Sequence, residues 1–395
     1  MIIWLCLIIP VLAVLTLAIF FNRKMVWWEY LLMFGVPVIA IVIAKIAVEK
    51  TATADREFWN SYVTYVDYTE EWSTWDDETC SRQVCHTDCS GSGENRTCTE
   101  NCHTEYYDCS HCDNHPPTWV ATDNLGKTYG ISQQMFEDLC IRWGNRTFVD
   151  MNRFIDHHFL CGQDGDGYRT VFDNTFEHTQ PICVVHFYEN RVQASQSVFN
   201  FQKVDLTDIK KYGLYGYEYN SDIFNYNPIM GIADPVASKR LNWWNAKLGA
   251  MKKVHMLILV FTDQPRDAGD LQESYWCSGN KNELVLCIGI NKERMVQWTK
   301  VFSWTEVDRL KLDVERTTYM MFSDTGTGRP LNMVQVVDTM ATMVQRSFVK
   351  KSFKDFSYLS VEPSGKALLI TFIVTLVISA GLGVFCCMND YEEGN

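Results

Sequence analysis

The chain has 395 residues, of which 47% are hydrophobic and 21% are charged. This composition excludes an intrinsically disordered protein, and the length is sufficient for two or three domains. The formal net charge of −13 argues against a nucleic-acid partner, because phosphates attract Lys and Arg. Fifteen cysteines are more than an ordinary cytosolic enzyme carries. The positions of the apolar residues and the cysteines along the chain are more informative than these totals.

Three apolar runs predict transmembrane helices at residues 1–21, 27–48 and 367–387. Each run is about as long as the roughly 20 residues that a helix needs to cross a bilayer core. A cleaved signal peptide is the alternative for the first run. That run begins without a basic segment and is longer than a signal-peptide core, which favours a retained span. An acidic tail, residues 388–395, follows the last run.

The charges beside these runs predict the orientation of the chain. Arg23 and Lys24 lie in the short loop between the first two runs, and the positive-inside rule places such a loop in the cytoplasm. The large domain is then periplasmic or extracellular, and the protein is a multi-pass membrane protein. Lysines that flank the large domain argue for the opposite orientation. Because charge in long domains has little influence on topology, the short loop has more weight.

Twelve cysteines lie in the part between the second and third apolar runs, an even number that permits complete pairing in an oxidising compartment. We predict disulfides among Cys80, Cys85, Cys89, Cys98, Cys102, Cys109, Cys112, Cys140, Cys161, Cys183, Cys277 and Cys287. The first seven form a cluster, and their odd number implies either a bridge to the other five or a free thiol.

Zinc binding by the clustered cysteines, with His86, His103 and His111 beside them, is the alternative in a cytosolic protein. Only Cys109 and Cys112 have the short C-x2-C spacing, and no second such pair completes a four-ligand site. The spacing therefore favours disulfides, with a redox role for this pair as a further alternative.

Residues 51–120 are predicted to form an acidic, Cys-rich β module. They contain 14 acidic residues and three arginines, a net charge of −11. Aromatic and β-branched residues in 58–68 predict one or two strands. The simpler interpretation is a β-hairpin held together by disulfides, whose negative charge keeps it soluble. The alternative is a face of exposed Trp and Tyr among carboxylates that binds a basic partner or Ca²⁺, although no calcium-loop spacing is present.

Residues 121–233 are predicted to form a mixed α+β region. Apolar spacing predicts a helix at 131–143, and the composition of residues 182–188 predicts a strand. The Gly- and Tyr-rich segment 212–220 has the composition of a loop that leads into a linker before the next domain.

Residues 234–356 are predicted to form a small α/β sandwich with a largely covered sheet. The expected order is a helix ending near Gly249, a buried strand 254–261, a helix 266–276, a buried strand 284–290, a strand 294–304, and helices at 306–322 and 332–353. The fold class of the whole chain is thus α+β and multi-domain, with transmembrane helices at both ends.

This last domain resembles the TPM family of membrane-anchored extracytoplasmic α/β domains. The residues that carry the resemblance are the helix 240–249, the strand 255–260 and the segment 275–282, Tyr-Trp-Cys-Ser-Gly-Asn-Lys-Asn, before the strand 285–288. The resemblance implies a link to phosphatase activity or to the maintenance of membrane complexes. Residues 301–304 replace the glycine-rich segment of the family, so we carry over no catalytic residue. The whole architecture also resembles uncharacterised membrane proteins of tailed phages and bacteria.

Motifs of nucleophilic, nucleotide-binding and zinc-protease sites are absent from the sequence, so no catalytic residue is predicted. Asp263, Asp267 and Asp270 surround the first turn of a predicted helix and are candidate metal ligands, although acids in a first turn also stabilise the helix. We predict a membrane-anchored protein with a disulfide-stabilised extracytoplasmic domain that contacts the bilayer and other membrane or envelope proteins. The alternatives are a membrane-bound, metal-dependent, phosphatase-like hydrolase and a cytosol-facing zinc-binding adaptor. No cofactor is predicted, with Ca²⁺ or Zn²⁺ as alternatives, and no oligomeric state.

Overall fold

The computed structural model describes residues 2–20, 26–90, 97–143, 146–149, 165–173, 175–195, 201–219, 222–323, 325–361 and 363–388. The chain divides into two compact units. The first, unit 1, combines Met1–Asn60 with Cys183–Asn395, and the second, unit 2, is Ser61–Ile182. The boundaries that the sequence suggested near residues 120 and 233 fall inside these units.

Two helices of unit 1 are long and apolar enough to cross a membrane, by length and composition. They are α2, Trp27–Thr53, and α10, Gly365–Met388. The first apolar run forms a shorter helix: a 3₁₀ segment covers Ile2–Leu7, and α1 covers Ile8–Phe20. Pro10 has no backbone N–H for the carbonyl of Cys6, which accounts for the tighter first turns. Of the three predicted spans, two therefore have the required length as helices. The loop that contains Arg23 and Lys24 and the tail beyond Met388 lie outside the described residues.

The apolar helices pack against one another through small and polar side chains. Four buried residues recur at four-residue intervals on α10: Thr371, Thr375, Ser379 and Gly383. Gly383 lies close to Leu17 of α1. α10 contacts both α2 and α1. Small side chains at this spacing allow close approach of helix backbones, which is how helices associate where water does not drive packing.

The α/β domain of unit 1 is built on a four-stranded sheet with the order β11-β12-β13-β14. The strands are β11 (Ile229–Met230), β12 (His255–Thr262), β13 (Glu283–Ile290) and β14 (Val296–Ser303). β11, β12 and β13 are parallel, and β14 is antiparallel to β13. The helices are α6 (Pro235–Lys252), α7 (Asp267–Tyr275), α8 (Asp308–Phe322) and α9 (Met333–Ser347). From α6 onward the order and type of these elements agree with the sequence-based prediction, but β11 was not predicted, and the last helix ends at Ser347 rather than near residue 353.

Both faces of this sheet are covered, as the continuous apolar strands predicted. Met256, Ile258 and Val260 of β12 point into a core formed with α6, α8 and α9. The alternate residues Leu257, Leu259 and Phe261 point into a second core with α7. The Gly- and Tyr-rich segment predicted as a linker packs on this second face: Leu214 is buried there, and Tyr212, Tyr215, Tyr217 and Tyr219 pack against the cluster.

Further elements lie before and after this domain in the chain. β1 runs from Ala54 to Thr69 directly after α2, and β10, Pro181–Glu189, pairs with it. Two short helices follow, α4 (Arg191–Ala194) and α5 (Leu206–Tyr212). A 3₁₀ turn, Phe353–Phe356, precedes α10.

Unit 2 contains a sheet in which strands follow the order β7-β6-β1-β9-β8. These strands are β6 (Thr118–Asp123), β7 (Thr128–Gly130), β8 (Arg146–Val149) and β9 (Gly167–Val171), beside the second half of β1. The helix α3, Gln133–Trp143, matches the predicted helix. Asp123 accepts hydrogen bonds from the Leu125 and Lys127 amides and the Ser61 hydroxyl, and so fixes the β6–β7 turn.

Two two-stranded ladders form the Cys-rich part of unit 2, which we call the Cys-rich ribbon (residues 72–115). β2 (Trp72–Asp76) pairs with β5 (His111–His115). β3 (Thr79–Ser90) pairs with β4 (Thr97–Asp108). All four strands are antiparallel to their partners, which agrees with the β module predicted for this segment.

Candidate functional site

Three disulfides hold the β3–β4 ladder of the Cys-rich ribbon. Cys85 lies opposite Cys102, and Cys89 lies opposite Cys98, and both pairs are joined. Because each pair is four residues from the other along its strand, both disulfides lie on one face of the ladder. Cys80 pairs with Cys109 and closes the open end. Disulfides of this density are typical of small domains in an oxidising compartment.

The ladder needs these bonds because it has almost no buried apolar core. The described residues of β3 and β4 are exposed, apart from half-buried Cys80 and Val84, and Tyr106 retains 73% of its side-chain exposure. A two-stranded hairpin in water is at best marginally stable on hydrophobic contacts alone. Covalent cross-links therefore replace the missing core.

The ribbon carries an excess of carboxylates. Residues 72–115 contain nine acidic residues and two arginines. Of these arginines, Arg82 is already paired with Glu105 at 2.8 Å across the ladder. Trp75, 37% exposed, donates its indole N–H to Asp77 at 2.7 Å. The ribbon thus presents negative charge beside exposed aromatic rings, the combination that favours a basic partner.

Four cysteines that were predicted to form disulfides do not form them. Cys140, Cys183, Cys277 and Cys287 are free thiols. Cys183 and Cys287 belong to the core on the second sheet face, where a thiol packs as a small apolar side chain. Cys112 is disulfide-bonded, and Cys161 lies outside the described residues. The cysteines of the cluster therefore pair, whereas those of the sheet are packing residues.

The β2–β5 ladder brings together three side chains with metal-binding atoms. Asp76 lies opposite His111, and Asp113 follows two residues later on the same face of β5. One ligand atom from each of the three lies within 4.8 Å of the others. Two further groups of this kind, Glu78–Cys80–Cys109 and Cys85–Glu100–Cys102, use sulfur atoms that are bound in disulfides.

The predicted metal candidates of the α/β domain do not form such a group. Among the described residues, Asp263, Asp267 and Asp270 belong to none of the sets whose ligand atoms converge. Asp270 instead forms an ion pair with Lys300 of β14 at 3.0 Å, and Asp267 begins α7. Asp267 and Asp270 lie in the first turn of α7, where acids interact favourably with the helix dipole.

A buried carboxylate lies close to the end of α2 in unit 1. The Glu57 side chain is fully buried, yet three cationic or potentially cationic groups surround it. The ammonium groups of Lys281 and Lys350 lie 3.0 Å and 3.5 Å from its oxygens, and the His186 ring lies at 3.4 Å. Trp59 donates its indole N–H at 2.9 Å. Burial lowers the pKa of Lys350, whereas the Glu57 charge opposes that shift.

A second buried carboxylate, Glu283, lies at the start of β13. It accepts hydrogen bonds from the Asn280 backbone and side chain, both at 2.8 Å, and from the Tyr217 hydroxyl. Burial raises the pKa of Glu283 to about 7, although these hydrogen bonds act in the opposite direction. The turn that supplies Asn280 holds Cys277, Ser278 and Gly279 in the left-handed region of backbone conformation.

The two carboxylates belong to one polar network. Tyr188 links them through one partner of each carboxylate. Its hydroxyl contacts the side chain of Asn280, a partner of Glu283, at 3.1 Å, and its ring faces Lys281, a partner of Glu57. The same hydroxyl also contacts the Asp55 carboxylate at 3.0 Å. The Lys281 ammonium lies 4.0 Å from the centre of the Tyr188 ring. Sequence reasoning missed this network, since its members are far apart in the chain. The one signal was local: Asn280 and Lys281 belong to the segment that carries the TPM resemblance.

Comparison with known proteins identifies no relative. No protein-family model matches the chain, no curated protein matches it, and no solved structure matches it.

Proposed function

We propose that the chain is a membrane-anchored protein whose Cys-rich ribbon operates outside the cytoplasm and binds a basic protein partner. The observation that carries this proposal is the coexistence of three disulfides in an exposed ribbon with two helices long enough to cross a bilayer. Disulfides persist in oxidising compartments and are rare in the cytosol. The anchors then keep the ribbon at a membrane or envelope surface.

The charge of the ribbon supports a basic partner. Carboxylates with few basic neighbours generate a negative field that increases the rate of encounter with cations. Exposed aromatic rings such as Tyr106 and Trp75 add contact area, and aromatic residues are enriched in protein interfaces. The ribbon therefore fits a partner segment rich in Lys and Arg better than an acidic or purely apolar one.

The α/β domain supports an extracytoplasmic location in a second way. Its order of helices and strands is the order on which the TPM resemblance depends, and α10 follows the domain. Domains of that family are membrane-anchored and extracytoplasmic. The resemblance remains part of the proposal, and we assign no enzymatic activity to the domain.

A charge-neutralised ribbon tests the binding proposal, with an oligolysine peptide as the probe. In the variant, four exposed carboxylates are neutralised: Asp77→Asn, Glu78→Gln, Asp88→Asn and Glu100→Gln. The matched control neutralises four exposed carboxylates of unit 1: Asp267→Asn, Glu293→Gln, Glu306→Gln and Asp313→Asn. We expect salt-sensitive binding to the wild type and the control, and weaker binding to the ribbon variant. Equal affinity of the two variants would contradict the proposal.

A further inference from the structure

The β2–β5 ladder offers a set of ligands that nothing described so far uses. Asp76, His111 and Asp113 project from one face of the two-stranded ladder, because directly opposed residues share a face and so do residues two apart on one strand. The His111 Nε2 atom lies 3.1 Å from an Asp113 oxygen. The register of the ladder therefore holds an imidazole between two carboxylates.

We propose that Asp76, His111 and Asp113 form a zinc site. The donor set is one nitrogen and two oxygens, and their atoms lie within 4.8 Å of one another. Zinc accepts His and Asp ligands at about 2.0–2.2 Å and often keeps a water as its fourth ligand. Small side-chain rotations bring donors at this separation around one ion.

The donor set favours zinc over the hard cations. Ca²⁺ takes six to eight oxygen ligands, and Mg²⁺ prefers oxygen in an octahedral arrangement. Two carboxylates supply few of the oxygens that Ca²⁺ needs, and the imidazole nitrogen is a poor ligand for both hard ions. An imidazole nitrogen suits a borderline metal such as zinc.

The surroundings of the site also favour a cation. The nine acidic residues of the Cys-rich ribbon attract it. The side chains of His111 and Asp113 are 51% and 50% exposed, so an ion reaches them from solvent and retains water ligands. The Cys80–Cys109 bond and the disulfide of Cys112 restrain the neighbouring chain. A bound ion would hold β5 against β2 at the end of the ladder, where Asp76 pairs with His111.

An ordinary ion pair is the competing interpretation, and the chain contains a matched example. His178 and Asp173 form an exposed pair at 2.8 Å, and this pair belongs to none of the described groups with three converging ligands. If a His–Asp pair alone were sufficient for zinc binding, both positions would contribute equally. If the third ligand matters, only the β2–β5 site binds tightly.

Zinc titration of the full-length, detergent-solubilised protein tests the site. The protein is kept without reductant, so that disulfide sulfurs do not compete, and free zinc is followed with a chelating indicator. We expect one zinc per chain. His111→Gln and Asp76→Asn should each weaken binding by about a hundredfold, since loss of even an outer-shell partner typically costs tenfold to a hundredfold. His178→Gln should leave binding unchanged.

Two results would overturn the site: no zinc uptake by the wild type at millimolar zinc, or unchanged uptake by His111→Gln. Loss of binding could follow from misfolding of a variant, so the three disulfides of each variant are first verified by mass spectrometry. Hydrogen exchange provides a second readout, because zinc should slow exchange of the β2 and β5 amides in the wild type only. Both measurements are independent of the oligolysine assay, so failure of the zinc site and failure of the proposed function are distinguishable.

Discussion

His255 and Glu283 occupy paired positions at the start of two parallel strands, and burial moves their pKa values in opposite directions. Both side chains are fully buried. Desolvation lowers the pKa of His255 from 6.5 to about 3 and raises that of Glu283 from 4.5 to about 7. In each case the low dielectric of the interior disfavours the charged form. Both residues are therefore neutral in the folded protein across mildly acidic pH.

The first prediction concerns the pH dependence of stability. Between pH 4.5 and about 7, folded Glu283 retains a proton that the unfolded chain releases, so its contribution to stability decreases as the pH rises. His255 acts in the opposite sense, because below pH 6.5 the unfolded chain binds a proton that the folded chain does not. The Glu283→Gln variant isolates the first contribution. Its free energy of unfolding, relative to wild type, should increase from pH 5 to pH 8.

Urea unfolding at several pH values measures the difference in the free energy of unfolding between Glu283→Gln and wild type. If that difference does not change with pH, the assignment is wrong. A His255→Gln variant is the control, and its difference from wild type should change with pH in the opposite direction.

The second prediction concerns the buried Glu57. Replacement by Gln leaves the Lys281 and Lys350 ammonium groups, both largely buried, without their counter-charge. Removal of one partner of a buried ion pair typically costs about 3 kcal/mol or more. We expect a loss of this size in the free energy of unfolding. The control is Glu189→Gln. Glu189 pairs with Arg191 and is more exposed than Glu57, so the loss of this ion pair should cost under about 1 kcal/mol. Similar losses for both variants would refute the importance of the Glu57 cluster.

The third prediction compares two Arg–carboxylate pairs on strands of unit 2. Arg169 binds both oxygens of Asp67, at 2.7 Å and 2.8 Å, and its guanidinium lies 3.9 Å from the centre of the Tyr65 ring. Because this pair is partly buried and bidentate, Arg169→Ala should cost about 1–3 kcal/mol in thermal or chemical unfolding. Arg82→Ala removes the more exposed pair with Glu105 and should cost under about 0.5 kcal/mol. The reverse order would contradict the claim that burial and two hydrogen bonds make the Arg169–Asp67 pair the more stabilising one.

The fourth prediction ranks two disulfides of the Cys-rich ribbon. Cys80–Cys109 closes 29 residues, whereas Cys89–Cys98 closes nine. Because Cys85–Cys102 remains in both variants and lies inside the larger loop, the loop that Cys80–Cys109 effectively closes is only slightly longer, and in the chain-entropy account it stabilises by about 0.3 kcal/mol more. Hydrogen exchange of the β3 and β4 amides should therefore be faster in the Cys80→Ser, Cys109→Ser variant than in the Cys89→Ser, Cys98→Ser variant. Equal exchange in the two variants would contradict the ranking.

The α/β domain was predictable from sequence because its strands are unbroken apolar runs and its helices have clear apolar spacing. The strand 284–290 was predicted to within one residue of β13, for example. The same pattern contained a signal about Cys287: a cysteine between Leu286 and Ile288 in a buried strand has the surroundings of a packing residue. Counting all twelve cysteines as one disulfide set overlooked that local context.

The polar network was not predictable, since it depends on contacts between distant segments. Glu57 and Lys281 are 224 positions apart in the chain and meet only when β1 and the turn before β13 come together. The ribbon site shows the opposite case. His111 was noted beside the cysteines, but the register that places it opposite Asp76 follows from the ladder and not from the spacing.

The central claim is that the Cys-rich ribbon is an oxidised, extracytoplasmic structure on a membrane-anchored chain. Thiol labelling of intact cells, followed by reduction and a second, distinguishable label, tests it most directly. We predict that Cys80, Cys85, Cys89, Cys98, Cys102 and Cys109 accept only the second label, and accept it when a membrane-impermeant reductant is used. If these six thiols instead react before reduction, and only after lysis, both the disulfides and the extracytoplasmic location are wrong.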